Sequence, residues 1–94
     1  MTAIDVYSQV VRQIIKEQEA IIGPIALEQA QKVSGLDVVT IDNIKISGNA
    51  KEVLKSLVER YAKLFGQASI EVCKEAVNSS KSKFSKEDLP TILQ

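Results

Sequence analysis

Apolar positions, with Gln18 among them, recur at alternating spacings of three and four from Ile4 through Tyr7, Val11, Ile14, Gln18 and Ile21. That repeat brings side chains onto one face of a helix. Thr2, with Asp5 three residues on, is a capping-box start for it. Val10, Ile15 and Ile22 widen the stripe beyond a two-position seam, so more than one neighbour has to cover it. At Gly23-Pro24 the pattern is interrupted. Proline has no amide hydrogen to donate, its ring crowds the carbonyl four residues back, and it pushes the preceding glycine away from helical angles. A first helix is therefore predicted to end or kink at this point. Pro24 suits the opening of a second helix, Ile25 to about Val33, which stops at Gly35 with Leu36 placed for the apolar contact that follows a left-handed glycine cap.

Residues 36–47, LDVVTIDNIKIS, are dense in β-branched side chains. A short hairpin is predicted, Val38–Ile41 against Ile44–Ile46 with Asp42-Asn43 as its two-residue turn. A new helix starts near Asn49 with Glu52 three residues on. Leu54, Leu57, Tyr61, Leu64 and Ala68 then lie on one line, with Val53, Val58, Phe65 and Val72 beside it, and the helix is predicted to run unbroken to about Asn78. Asn78 to Ser85 is a Ser/Lys-rich connector, after which Ser85 and Asp88 mark a short last helix, within 85–94, that Pro90 limits.

A shift of 43 positions lays residues 10–33 over 53–76. Val10 and Val11 meet Val53 and Leu54, Ile14 and Ile15 meet Leu57 and Val58, Ile21 and Ile22 meet Leu64 and Phe65, and Gly23 falls on Gly66. Ala30 against Cys73 and Val33 against Ala76 extend the match. This reads as an internal duplication, each copy a helix, a small residue and a helix. Two copies are too few for a solenoid, so the expected architecture is a mainly α, duplicated bundle of four to five helices in one domain over 1–94. Its halves are about 2–35 and 49–78, joined by a hairpin or extended linker at 36–48. A glycine inside a helical pattern costs about 1 kcal/mol relative to alanine, so helices are expected to cross with close backbones at Gly23, Pro24 and Gly66. Ile14, Ile21, Leu57, Leu64 and Phe65 are the expected contact residues around those crossings.

Composition narrows the partners. Twelve basic residues balance twelve acidic ones, which leaves no overall field to draw in nucleic acid or an anionic membrane. No apolar run approaches the roughly 20 residues needed to span a bilayer, and the N-terminus has no basic segment ahead of an apolar one, so the chain reads as cytoplasmic and unprocessed. Cys73 is the single cysteine and there is no histidine, so neither an internal disulfide nor the common zinc and haem ligand sets can be assembled.

Three groups are chemically suggestive. Cys73 as a nucleophile needs a basic partner or a helix N-terminus to hold its thiolate; in mid-helix after Val72, with only Lys74 beside it, it is expected to be a buried small hydrophobe. Glu71 and Glu75, with Glu28 from the other half, could ligate a divalent cation, but Lys32 follows Glu28 by four and Lys74 follows Glu71 by three, so a solvated, internally paired face is expected. Lys81, Lys83 and Lys86 around Phe84 resemble a phosphate-contacting loop, yet no arginine stands among them for bidentate base contacts and Glu87 and Asp88 follow at once. Phe84 is expected to pack the last helix onto the bundle. No catalytic, cofactor or metal residue is assigned, and enzymatic activity is not expected, because no acid, base and electrophile stabiliser can be named together.

The segments IIGPIALEQAQ and LFGQASIEVCKEAV resemble the helix–glycine–helix modules attached to bacterial signalling proteins such as serine/threonine kinases and found in small microbial proteins. That resemblance covers most of the chain, implies a scaffold or regulatory module and transfers no functional residue. The second half alone, from EVLKSLVERYAKLFGQ to KFSKEDLPTIL, resembles the histone fold: the length of its long central helix, a basic loop and the start of a short helix. Residues 36–48 are too long for the usual first histone loop, and the neutral charge lacks the phosphate-binding surplus that DNA wrapping needs. Together these features give the expectation of a non-enzymatic protein-interaction or dimerisation module, with protein as partner and a homodimer as its state. The broad aliphatic stripes exceed what so small a bundle covers. The alternative is a histone-like pairing protein contacting DNA or a transcription complex.

Overall fold

The apolar repeats fold as helices wherever a cap or a glycine brackets them. The computed structural model describes residues 3–79. In chain order it contains α1 (Ala3–Ile22), α2 (Ile25–Gln31), β1 (Leu36–Thr40), β2 (Asn43–Ile46), α3 (Ala50–Phe65) and α4 (Gln67–Ser79). The fold is mainly helical, with β1 and β2 paired as an antiparallel two-stranded hairpin. The Thr2 cap, the lysines around Phe84 and the short helix expected within 85–94 lie outside the described residues.

Local chemistry sets the boundaries. Asn49 sits in an extended conformation (φ −81, ψ 108) and its side chain accepts the Glu52 N–H at 3.1 Å, so one of the unsatisfied first-turn donors of α3 is capped. Pro24 opens α2 at φ −58, and its carbonyl accepts from the N–H groups of Leu27 at 3.2 Å and Glu28 at 3.3 Å. That helix ends at Gln31, two residues short of the expected Val33, with Lys32 as its C-cap.

Two expectations are corrected. The helix predicted to run unbroken from Asn49 to about Asn78 is two helices, α3 and α4, divided at Gly66. The same break divides the run that resembles the long histone helix. The hairpin turn is Ile41-Asp42 rather than Asp42-Asn43, because a register irregularity between Val38 and Thr40 leaves Val39 outside the ladder and pairs Thr40 with Asn43. A bulge of this kind offsets one strand by a residue, which alternation alone does not reveal.

Sixteen of the buried positions fall into pairs at one spacing. Val10 and Val53, Val11 and Leu54, Ile14 and Leu57, Ile15 and Val58, Gln18 and Tyr61, Ala26 and Ser69, Ala30 and Cys73, and Val33 and Ala76 are all buried, and each pair is separated by 43 residues. Tyr7, Leu36 and Val38 complete the buried set among the described residues. Each fully enclosed Leu, Ile or Val contributes about 1.5–3 kcal/mol relative to exposure. α4 packs against both α1 and α3, and α2 against α1, α3 and β1. The hairpin is tied to the helices by Arg12, whose Nε donates to the Ile41 carbonyl at 3.2 Å, and by Gln31, whose Nε2 donates to the Val38 carbonyl at 3.1 Å.

Candidate interaction surface

The two helix–helix joints, Gly23-Pro24 between α1 and α2 and Gly66 alone between α3 and α4, share a positive-φ glycine and its backbone hydrogen bonds. Gly23 has φ 76, its N–H donates to the Glu19 carbonyl at 2.9 Å, and its carbonyl accepts from Ala26 at 3.1 Å. Gly66 has φ 84 and ψ −168, its N–H donates to the Ala62 carbonyl at 2.8 Å, and its carbonyl accepts from Ser69 at 3.1 Å. A β-carbon at either position would meet no atom within 4 Å beyond its chain neighbours. The expectation of close backbone crossing at Gly23 and Gly66 is therefore corrected: glycine is needed for its dihedral angles, since left-handed φ is strained for any residue with a side chain.

The helices are joined instead by two buried polar side chains, each five residues before its glycine. Gln18 is 1% exposed, and its Nε2 donates to the Ser69 carbonyl at 3.1 Å and to Cys73 Sγ at 3.5 Å, linking α1 to α4. Tyr61 is fully enclosed, and its hydroxyl donates to the Ala26 carbonyl at 2.6 Å, linking α3 to α2. Donor and acceptor are displaced together, Gln18 to Tyr61 and Ala26 to Ser69, by the 43 residues that relate the buried pairs. Periodicity placed Gln18 and Tyr61 on the buried stripe without indicating these bonds; the available signal was a polar group recurring at one point in both stripes.

Neither enclosed titratable group is poised for chemistry. Burial raises the Tyr61 pKa well above the tyrosine range, with Cys73 and Glu19 adding in the same direction. Burial pushes the Cys73 thiol up to about 11, against a smaller opposing effect of the Gln18 hydrogen bond. Cys73 is fully enclosed and stays protonated at neutral pH, whereas nucleophilic attack needs the thiolate.

The folded-state pKa is raised above the ordinary 9.0, so the folded chain holds the Cys73 proton more tightly than the unfolded chain. This contribution is fully present below about pH 8 and is lost as pH rises from 9 through 11. Its full size is on the order of 2–3 kcal/mol. Urea denaturation at pH 7, 8, 9 and 10, below the range in which Tyr61 adds a loss of the same sign, is expected to show the first part of that decline, flattened in Cys73→Ala; an unchanged slope in the variant counts against the thiol as its source.

The remaining candidate positions separate into two groups. Ile14 and Leu57 are fully buried and belong to the core rather than to any outer contact. Ile21 is 65% exposed, Leu64 51% and Phe65 37%, and Pro24 is also exposed. Ile25, which the sequence did not single out, is 39% exposed. These apolar side chains all stand within two residues of a glycine joint.

Beside them, α2 and α3 enclose a shallow groove of about 390 Å³ lined by Gln29, Ser56, Glu59, Arg60, Lys63 and Leu64. Arg60 Nε donates to Gln29 Oε1 at 2.9 Å. Glu71 and Lys74 pair at 3.9 Å on the exposed face of α4, the counter-charge expected from their spacing. Among the described residues no group of three or more His, Cys, Asp or Glu side chains could hold a metal ion, and no helix is long and apolar enough to cross a membrane. No protein-family model, curated protein or solved structure matches the chain.

Proposed function

We propose that the chain is a non-enzymatic pairing module, a duplicated helix–glycine–helix unit that self-associates as a homodimer through the apolar rim at its two joints. The carrying observation is the exposure of Ile21, Ile25, Leu64 and Phe65 around joints whose every described buried polar side-chain atom is satisfied within the chain. The interior needs nothing more, while the rim keeps apolar area in water. Covering such area drives association at about 25 cal/mol per Å² before the costs of ordering.

The duplication is supported by three coincidences at one spacing of 43: the buried pairs, the glycine joints and the reciprocal Gln18–Ser69 and Tyr61–Ala26 hydrogen bonds. A unit that meets its own copy within one chain already has a pseudo-two-fold arrangement. Isologous pairing of whole chains extends that geometry by one step.

Sedimentation equilibrium is expected to give twice the 10.3 kDa chain mass at high micromolar concentration. Leu64→Asp with Phe65→Asp is expected to return the chain to a monomer with unchanged far-UV circular dichroism. A wild-type monomer throughout that concentration range overturns the proposal.

A further inference from the structure

We propose that the α2–α3 groove sets the register of the self-interface, with Arg60 and Lys63 of one copy receiving the Glu59 carboxylate of a second copy across a two-fold axis near this stretch of α3. The inference rests on the pairing reading above and adds the surface and its polarity.

The groove holds charges of both signs that do not meet. Among the described residues no carboxylate lies within 4.0 Å of Arg60 or Lys63, although Glu59 lines the same groove. Glu59 and Lys63 are exposed, and Arg60 is half-buried. One Arg60 donor is already held: Nε is committed to the neutral Gln29 Oε1 at 2.9 Å, and the donors of its two terminal amino groups remain for another acceptor. A held guanidinium is the donor that carboxylates match best, because its fork is fixed before the partner arrives.

Charge complementarity selects the occupant. A free anion, or a uniformly acidic segment, entering toward Arg60 and Lys63 meets the like charge of Glu59. A surface bearing both signs in reversed order satisfies all three groups, and a second copy rotated by a two-fold brings that surface. In an isologous contact every pairing occurs twice, so one Glu59 cluster implies its twin. The apolar rim continues the same face: Ile25 is one turn from Gln29 on α2, and Leu64 is one turn from Arg60 on α3. Rim and groove together have the apolar area for affinity and the charges for orientation.

Dimer dissociation constants from sedimentation equilibrium at low and high salt test this. Glu59→Lys alone, and Arg60→Glu with Lys63→Glu, are each expected to weaken pairing by about tenfold or more at low salt. The triple charge swap, Glu59→Lys with Arg60→Glu and Lys63→Glu, is expected to pair at least about threefold more tightly than either reversal alone, since it exchanges the signs and preserves their complementarity, and to stay weaker than wild type because the Gln29-held guanidinium is gone. Circular dichroism confirms the fold of each variant. A wild-type dimer indifferent to both reversals, while Leu64→Asp with Phe65→Asp still dissolves it, overturns the groove assignment and leaves the pairing reading standing. A wild-type monomer removes both.

Discussion

Leu57→Ala is expected to lower the unfolding free energy by about 3 kcal/mol, within the range of roughly 2–5 kcal/mol for deleting a buried leucine side chain. Leu57 has no solvent exposure and sits in the cluster with Ile14, Leu54 and Val58, so the lost methyl groups leave a space that only partial collapse can fill. A chain of 94 residues has about 5–14 kcal/mol of total stability, so this one change removes a large share of it. The melting temperature is expected to fall on the order of 15 °C. Leu64→Ala, at a position 51% exposed, is expected to change stability by less than about 0.5 kcal/mol. Thermal unfolding of the two variants separates these roles, which one line along the helix assigns alike; equal destabilisation would mean that Leu64 is also part of the core.

The contrast shows what the sequence carried. Local signals were legible because their chemistry is local: Asn49 capping Glu52, Pro24 opening α2 and the β-branched run forming the hairpin each need only a few neighbouring residues. The buried faces of α1 and α3 were legible for the same reason, since the 3.6-residue period fixes which side chains share a face. Two things were hidden. A glycine within an apolar period does not say whether the helix continues through it, and at Gly66 the chain takes up φ 84 and ψ −168, a region essentially reserved for glycine, so α3 ends there. Nor does a period say how far neighbouring elements reach along a face, and the outer ends of both stripes, at Ile21 and Leu64, extend past the cover available to them.

The candidate surface was legible only in outline. Ile21, Leu64 and Phe65 stood out in the sequence as repeated apolar positions beside glycines, but Ile14 and Leu57 stood out equally and proved to be core. The Arg60–Gln29 bond joins residues 31 positions apart, and no short-range pattern encodes it. The Gln18 and Tyr61 bonds are likewise tertiary, and they explain how an aliphatic core with few large shapes fixes one arrangement. Sliding α1 along α4 by a turn would strand the Gln18 amide without a partner, and a buried polar group left unpaired costs about 1–3 kcal/mol.

Gly35→Ala is expected to be comparably severe, for a reason opposite to that of a cavity. Gly35 lies at φ +84, and a β-carbon built there falls 2.9 Å from the Ser47 carbonyl oxygen and 2.9 Å from Val53 Cγ2. Neither neighbour gives way readily. The Ser47 N–H donates to the Gly35 carbonyl at 2.8 Å, just beyond the Leu36–Ile46 pair, so moving Ser47 off the new methyl group pulls apart the bond that closes the hairpin base. Val53 is 5% exposed and β-branched, so it has little rotamer freedom with which to withdraw. Left-handed strain of about 1–2 kcal/mol and overpacking of about 1–3 kcal/mol act together, and a loss of about 3 kcal/mol is expected. Gly23→Ala is the control, because Gly23 shares the positive φ but has open space around it, so its loss is expected to be near 1 kcal/mol. Urea denaturation of both variants reads the difference directly. Equal losses would show that the backbone angle alone matters at Gly35 and that the hairpin base is looser against α3 than these contacts require, whereas a gap of about 2 kcal/mol locates the close packing of this fold where the hairpin meets α3, away from the two helix joints.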